Sequence, residues 1–535
     1  MRGRVSRTRI LIVLVALLAL LTVGLLFVVL RYHVVDFKLY PKDVTMLDLR
    51  EEKISISHYQ KLSAALPECE IRWNVPFQGG SVPNDATEVT VTELMAADAK
   101  ALAYLPLLEK VNAKECRDYD NLMYLRDLVP QAEVEYQLLI DNVYYGPETT
   151  EVKVDAITRE EILSMQYLPN LTKVIACGGP EQADFTLLRN YCLNTDLEFV
   201  LSIGGQEIPY LATKLSVEGM TEEEAYLLQY LKHFDSLHLT NPEASPETVT
   251  ALREKYPHAA ITWEVELAGK LYPDTTTEVD LSQLVIDDLA QVERAMAYFP
   301  EAKLLILGLC GIDNPEWGNS KMDGKLAASA IDNEQIAAYR DRVQEQYKVV
   351  WTVRLGPHIA LRTDSDNFMP NHFGVGRLPD DYAHNLRYCI DMVCLDLGHM
   401  TITYIDFVSF MPKLKYLILA WTNVKYIEPI RNCKELIFLE LDNSAIRDVS
   451  PLVDCTKLED LNIGKTWPDV TPLTQMPWLK NVYMIFGNGG DAWKITQACP
   501  DTRVVTNGNA TVGGGWRRMQ NYYDMRDMLH APYMN

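Results

Sequence analysis

Three short markers recur along this chain in one phase, and nothing else in the sequence constrains its fold as strongly. An aromatic residue sits between apolar neighbours in Ile71-Arg72-Trp73-Asn74-Val75, Val134-Glu135-Tyr136-Gln137-Leu138, Leu197-Glu198-Phe199-Val200-Leu201, Ile261-Thr262-Trp263-Glu264-Val265 and Val349-Val350-Trp351-Thr352-Val353; the first four aromatics are 63 to 64 residues apart. Thr87-Glu88-Val89, Thr150-Glu151-Val152, Thr213-Lys214-Leu215 and Thr277-Glu278-Val279 keep the same step, as do Tyr104-Leu105-Pro106 and Tyr167-Leu168-Pro169, with Tyr230-Leu231-Lys232 in register and Tyr298-Phe299-Pro300 as the next copy. The first two markers alternate apolar and polar residues, the pattern of a half-buried strand. Thr158 with Glu161 and Thr221 with Glu224 have the spacing of capping boxes, so short helices are expected between strands. Three strands per period give coils of about 18 to 23 residues, the length of a repeat that buries its core only by stacking on its neighbours. The expected fold is an α/β solenoid: a right-handed stack of short parallel strands with helices or turns on the outer face.

From about residue 412 the period is explicit. Leu414-x-x-Leu417-x-Leu419, Leu436-x-x-Leu439-x-Leu441, Leu458-x-x-Leu461-x-Ile463 and Leu479-x-x-Val482-x-Met484 are spaced 22, 22 and 21. One tail runs Asn443-Ser444-Ala445-Ile446-Arg447-Asp448-Val449-Ser450-Pro451-Leu452, and Asn423 sits at the start of another. These residues resemble the bacterial leucine-rich repeat family of internalin-like type, in its membrane-anchored, extracytoplasmic form. The resemblance implies a protein that binds other proteins. Phe410-Met411-Pro412 continues the Tyr-Leu-Pro marker and extends the same architecture back over roughly 43–410.

The run Ile10–Leu30 is uncharged and apolar. Its 21 residues would span about 31 Å as a helix, the thickness of a bilayer's hydrocarbon core. Arg2, Arg4, Arg7 and Arg9 precede it, which predicts a cytosolic N-terminus and an extracytoplasmic remainder. The run lacks a small-residue cleavage site, so an uncleaved, single-pass signal anchor is expected. The expected layout is a basic tail (1–9), the anchor (10–30), a stalk (31–42), degenerate 63-residue repeats (43–356), an insertion loop (357–388), regular leucine-rich repeats (389–485) and a C-terminal cap (486–535).

Lys plus Arg number 50 against 73 Asp plus Glu, a net charge of −23. That balance argues against a nucleic-acid partner. The outward set of strand residues would form an acidic face: Glu88, Glu151, Glu264, Glu278, Asp280, Asp396 and Glu440. Such a face suits a cationic partner. A second candidate is the stretch after Trp351, whose connection to Val393 is long and holds His358 and His384. Loops on a rigid scaffold commonly carry recognition, so Arg362, Asp364, Asp366, Asn371 and His372 are the candidate ligand-binding residues. A stretch at Asp313–Ser320 also breaks the period. No nucleophile–base, zinc-protease or phosphate-loop motif is present, and no His, Cys, Asp or Glu set has metal-ligand spacing; no cofactor, metal or catalytic residue is expected. Ten cysteines lack a CxxC pair, and Cys433 and Cys455 fall at equivalent places in successive turns. The expected function is a tethered binding module for a protein or cell-wall polymer. The alternative is a cell-envelope enzyme, or an accessory to a wall enzyme, with its site in 357–388.

Overall fold

In the computed structural model, residues 7–179, 182–311, 327–356, 359–370, 378–487, 489–508 and 515–531 are described. The chain divides into two compact units, residues 1–237 with 243–260, and residues 238–242 with 261–535. In the first unit a helix, Arg7–Arg31, leads without a spacer into an antiparallel hairpin, Tyr32–Val35 with Lys38–Pro41. The segment expected as a stalk is therefore folded. Leu11–Arg31 is long and apolar enough to cross a membrane.

The 63-residue period corresponds to a module of three parallel strands and one antiparallel return. In one copy Glu151–Val154, Lys173–Cys177 and Glu198–Ile203 pair in parallel, and Gln206–Pro209 folds back on the third strand. The copy before it has Glu88–Thr90, Lys110–Asn112 and Glu133–Glu135 in parallel, followed by the hairpin Leu138–Ile140 with Val143–Tyr145. In the second unit Glu278–Leu281, Leu304–Cys310 and Lys348–Gly356 repeat the plan, with Ile359–Arg362 as the return. The expectation of parallel strands alone is thus corrected for residues 43–362. The reason is local. Four of the third strands run into a two-residue turn whose residues both have positive φ: Gln78-Gly79, Asp141-Asn142, Gly204-Gly205 and Ala268-Gly269. That geometry matches the twist of two antiparallel strands and reverses the chain. The capping boxes form as predicted, with Thr158 Oγ1 accepting from Glu161 N and Thr221 Oγ1 from Glu224 N.

The recurrent aromatics lie on the inner side of these strands. Trp73, Tyr136, Phe199, Trp263 and Trp351 are all buried, as expected for packing residues. The Trp351 indole also donates to Asn333 Oδ1 at 2.9 Å.

The second unit ends in a seven-stranded parallel sheet, one strand per turn: Asn367–Phe368, Cys394–Asp396, Tyr416–Ile418, Phe438–Glu440, Asp460–Asn462, Asn481–Tyr483 and Arg503–Val505. This is a leucine-rich-repeat-like stack. Leu395, Leu417, Leu439, Leu461 and Val482 point inward and are buried. Short 3₁₀ helices at Asp406–Phe410, Glu428–Asn432, Ser450–Asp454 and Thr471–Gln475 line the opposite side. Pro429, Pro451 and Pro472 open three of them, where a missing N–H costs nothing. Cys433 and Cys455 occupy matching buried places and donate weakly to Val408 O and Ile430 O. All ten cysteines are free thiols.

Candidate functional site

Most of the stretch expected as an insertion loop is regular repeat. Ile359–Arg362 is the return strand of one module, residues 363–366 are the linking turn, and Asn367–Phe368 is the first strand of the terminal sheet. Asp380–Ala383 and His384–Tyr388 are the helical side of that turn. From Asn367 to Cys394 is one step of the stack, 27 residues long against 22 for the step from Cys394 to Tyr416. Part of the apparent length of the connection arose because the two-residue strand at 367 carries no marker. Asn371 and His372, like His358 and the 313–320 stretch, lie outside the described residues.

Three of the five loop candidates can be placed. Arg362 and Asp364 form a bidentate ion pair, Nε to Oδ1 at 2.6 Å and Nη2 to Oδ2 at 2.8 Å. Asp364 borders a depression with Arg340, Tyr347, Lys348, Thr363, Asp391 and Lys413. There Asp391 receives Lys348 and Lys413 at 2.7 and 2.6 Å. Burial pushes the Asp391 carboxyl up, but the two ammonium groups outweigh it and leave its pKa below the usual carboxylate value. Asp366 is engaged locally, its side chain by Asn367 Nδ2 and its carbonyl by Val393 N and Cys394 N. These polar groups therefore largely satisfy one another.

The acidic strand face also needs correcting, in two ways. In the modules, lysines stand in register beside the acids. Glu88 faces Lys110, which binds Glu135 at 2.7 Å. Glu151 faces Lys173, whose Nζ lies 2.6 Å from Glu151 and 2.8 Å from Glu207. Glu264 has His238 Nε2 at 3.6 Å, Glu278 stands opposite Leu304, and Asp280 accepts from Ser282 N. Lysines thus break the acid row at Glu88 and Glu151, while Glu278 and Asp280 face Leu304 and Ile306.

In the terminal sheet the acids are not exposed. The outer side chains of successive strands form columns: Cys394, Tyr416, Phe438, Asp460 and Asn481, then Asp396, Ile418, Glu440, Asn462 and Tyr483. The chain's own residues 515–531 lie across them. Of the segment expected as a cap, Gly489–Ala498 and Arg503–Val505 simply add another turn. The remainder, with its helix Gln520–Met528, returns over the strand face. Trp516 is fully buried, stacked on Phe438 at 4.5 Å and edge-on to Tyr483 at 5.2 Å. Its indole N–H donates to Glu440 Oε2 at 2.7 Å. Asn521 Nδ2 donates to Asp460 Oδ2 at 2.7 Å, and Arg526 Nη1 lies 4.0 Å from Asp396 Oδ2. Tyr522, Met525, Leu529 and Ala531 bury their apolar surface on the same face.

This cover changes the chemistry of the acids. Burial pushes the Glu440 carboxyl up to about 7, against the pull of the Trp516 bond, with Asp396 and Asp442 adding to the rise. Burial raises Asp396 and Asp460 in the same direction. The outer face of this sheet is aromatic and acidic and is covered by residues 515–531. Sequence reasoning missed this cover. The available signal was Trp516 with Tyr522, Met525 and Leu529, an apolar set within a terminal segment that has no strand marker of its own.

No protein-family model matches the sequence, and no curated protein matches it. Among solved structures the chain is similar to an internalin from Listeria monocytogenes, at 12% identity, covering 72% of this chain and 93% of that one with a TM-score of 0.23. It is also similar to a leucine-rich repeat protein of Leptospira interrogans, at 13% identity, covering 77% and 93% with a TM-score of 0.24. The leucine-rich-repeat-like character of the terminal sheet lies in its parallel strand register and its 22-residue step.

Proposed function

We propose that this is a membrane-tethered, extracytoplasmic leucine-rich repeat protein that binds a protein or cell-wall partner and performs no catalysis. In this reading the helix Arg7–Arg31 is an uncleaved single-pass anchor, the N-terminus is cytosolic, and the repeats form a right-handed solenoid outside. The observation that supports the reading is the terminal sheet, whose aromatic and acidic outer face is covered by the chain's own residues 515–531. An enzyme site in 357–388 draws no support from the described residues there, because their polar groups are engaged in ion pairs and turns.

The test is crosslinking on intact cells followed by purification of the full chain under denaturing conditions. The expected result is one recurrent protein or wall fragment attached to the repeats. Recovery of only the uncrosslinked chain, across several crosslinker lengths, would sink the binding reading.

A further inference from the structure

Residues 515–531 cover the strand face without satisfying it. Asp442 is fully buried and paired with the Lys465 ammonium at 3.7 Å. Asn462 is also fully buried, and its amide nitrogen has no hydrogen-bond partner among the described residues. In register Asn462 stands between Glu440 and Tyr483, both of which Trp516 touches. A buried polar group left without a partner is destabilising. A segment selected only to close the core would not need to sit on acids at all. Apolar residues under Trp516 and Met525 would hold it better.

The contacts that do form are those of a recognised ligand. One aromatic ring fills the centre of the face and is locked by an indole hydrogen bond. An amide five residues later reads Asp460, and an arginine ten residues later approaches Asp396. Aromatic and arginine anchors in a desolvated pocket are the usual carriers of binding energy between proteins. The link that brings the segment there includes Gly513, Gly514 and Gly515.

We propose that the outer face of the sheet 394–483 is a docking groove for a segment of another protein that bears an aromatic ring followed by an arginine, and that residues 515–531 occupy it in cis as a displaceable imitation of that partner. This rests on the reading of the chain as a binding module and names the chemistry of what it binds. The Asn462 amide nitrogen is the group left over for the true partner. A segment that supplies an acceptor to Asn462 Nδ2 makes a bond the cis segment lacks, and so displaces it.

The experiment uses the full chain in detergent, with a protease recognition sequence replacing residues 509–514. Two measurements are made. On the uncut native protein, amide hydrogen exchange should show Gln520–Met528 opening at least about a hundredfold more readily than the strands at 416–418 and 438–440. Equal protection would overturn the proposal, because the segment would then be an inseparable part of the core. On the cut protein, a fluorescent synthetic peptide of residues 515–531 should bind, while the uncut protein excludes it. Peptides carrying Trp516→Ala or Arg526→Ala should bind about tenfold more weakly or worse. An otherwise polyalanine peptide retaining Trp516, Asn521, Tyr522, Met525, Arg526 and Leu529 should compete. If the cut protein keeps its folded circular dichroism but never exchanges the peptide, the proposal fails. If cutting unfolds the repeats, it fails also. A partner crosslinked elsewhere on the chain, together with either failure, would leave the binding reading standing and remove only the groove.

Discussion

Single residues in this chain do two different kinds of work, and their substitution should show it. Trp351 is fully buried and satisfied by Asn333, so it carries packing alone. Trp351→Ala should cost about 3–5 kcal/mol of stability, read by urea denaturation, with no direct effect on the terminal groove. Glu440 is different, because its carboxyl rises to about 7 in the folded chain from 4.5. A carboxyl raised by folding leaves the protein most stable where it is protonated in both states, below about pH 4.5. The unfolded chain then ionises first as pH rises, and stability falls until about pH 7, where the loss levels off. The full loss is of order 3 kcal/mol. Glu440→Gln keeps an acceptor for the Trp516 indole and removes the charge. It should match the parent near pH 4 and exceed its stability at pH 8, and equal pH profiles for the two proteins would show that Glu440 is not held neutral by its surroundings. Asp396 and Asp442 remain in both proteins, so the difference between the curves reports Glu440 together with its coupling to them.

At the scale of elements, the hairpin turns decide the architecture of the long repeats. Gly204 has φ +58°, and a Cβ there would meet the Glu218 carbonyl oxygen at 2.3 Å. Gly204→Ala should therefore destabilise the chain by about 2 kcal/mol or more, combining left-handed strain with a backbone clash. Ala268 already bears a side chain at φ 51° beside Gly269. Ala268→Asn gives that turn the residue pair it prefers, so thermal unfolding should move upward by the equivalent of a few tenths to about 1 kcal/mol. These turns also show how far the sequence could be read. The 63-residue step, the buried aromatics, the capping boxes and the stacked cysteines all follow from local periodicity, which one chain displays. The antiparallel returns were equally local, written as Gln78-Gly79, Asp141-Asn142, Gly204-Gly205 and Ala268-Gly269 at the same spacing. They escape a search for apolar alternation because their signal is backbone sign, not hydrophobicity. The strand Asn367–Phe368 has two residues and no pattern to find, so the turn around it passes for a loop. The cover of the terminal sheet is of another kind. Trp516 meets Glu440 across 76 positions, and no periodicity links residues that meet only once.

On the scale of the whole molecule, the junction at residue 31 sets what the chain can do. The helix Arg7–Arg31 passes straight into the strand Tyr32–Val35, and Lys42 N donates to Arg31 O at 2.9 Å while Lys42 Nζ donates to Val29 O at 2.6 Å. A cleaved signal peptide has a shorter apolar core and a small-residue cleavage site. Residues 29–31 are helical and tied to the hairpin that starts the folded body. The apolar side chains from Leu11 to Leu30 are exposed along the helix, the arrangement that a bilayer rather than a protein core would cover. The expected outcome is a chain that stays in the membrane pellet through alkaline carbonate extraction and whose mature N-terminus precedes Ile10. Placing Asp at Leu17 and Leu21 should release it to the soluble fraction, since each charge at the centre of an apolar span costs about 2.5–3.5 kcal/mol of insertion. A mature chain beginning near Tyr32 would overturn the anchor. The strand groove would then act from solution, and the advantage of a cis occupant would change with it. A tethered receptor meets partners confined to the same surface at high effective concentration, where a groove that binds only what outcompetes its own segment discards weak ligands. A released one meets dilute partners, and the same segment would chiefly lower its apparent affinity.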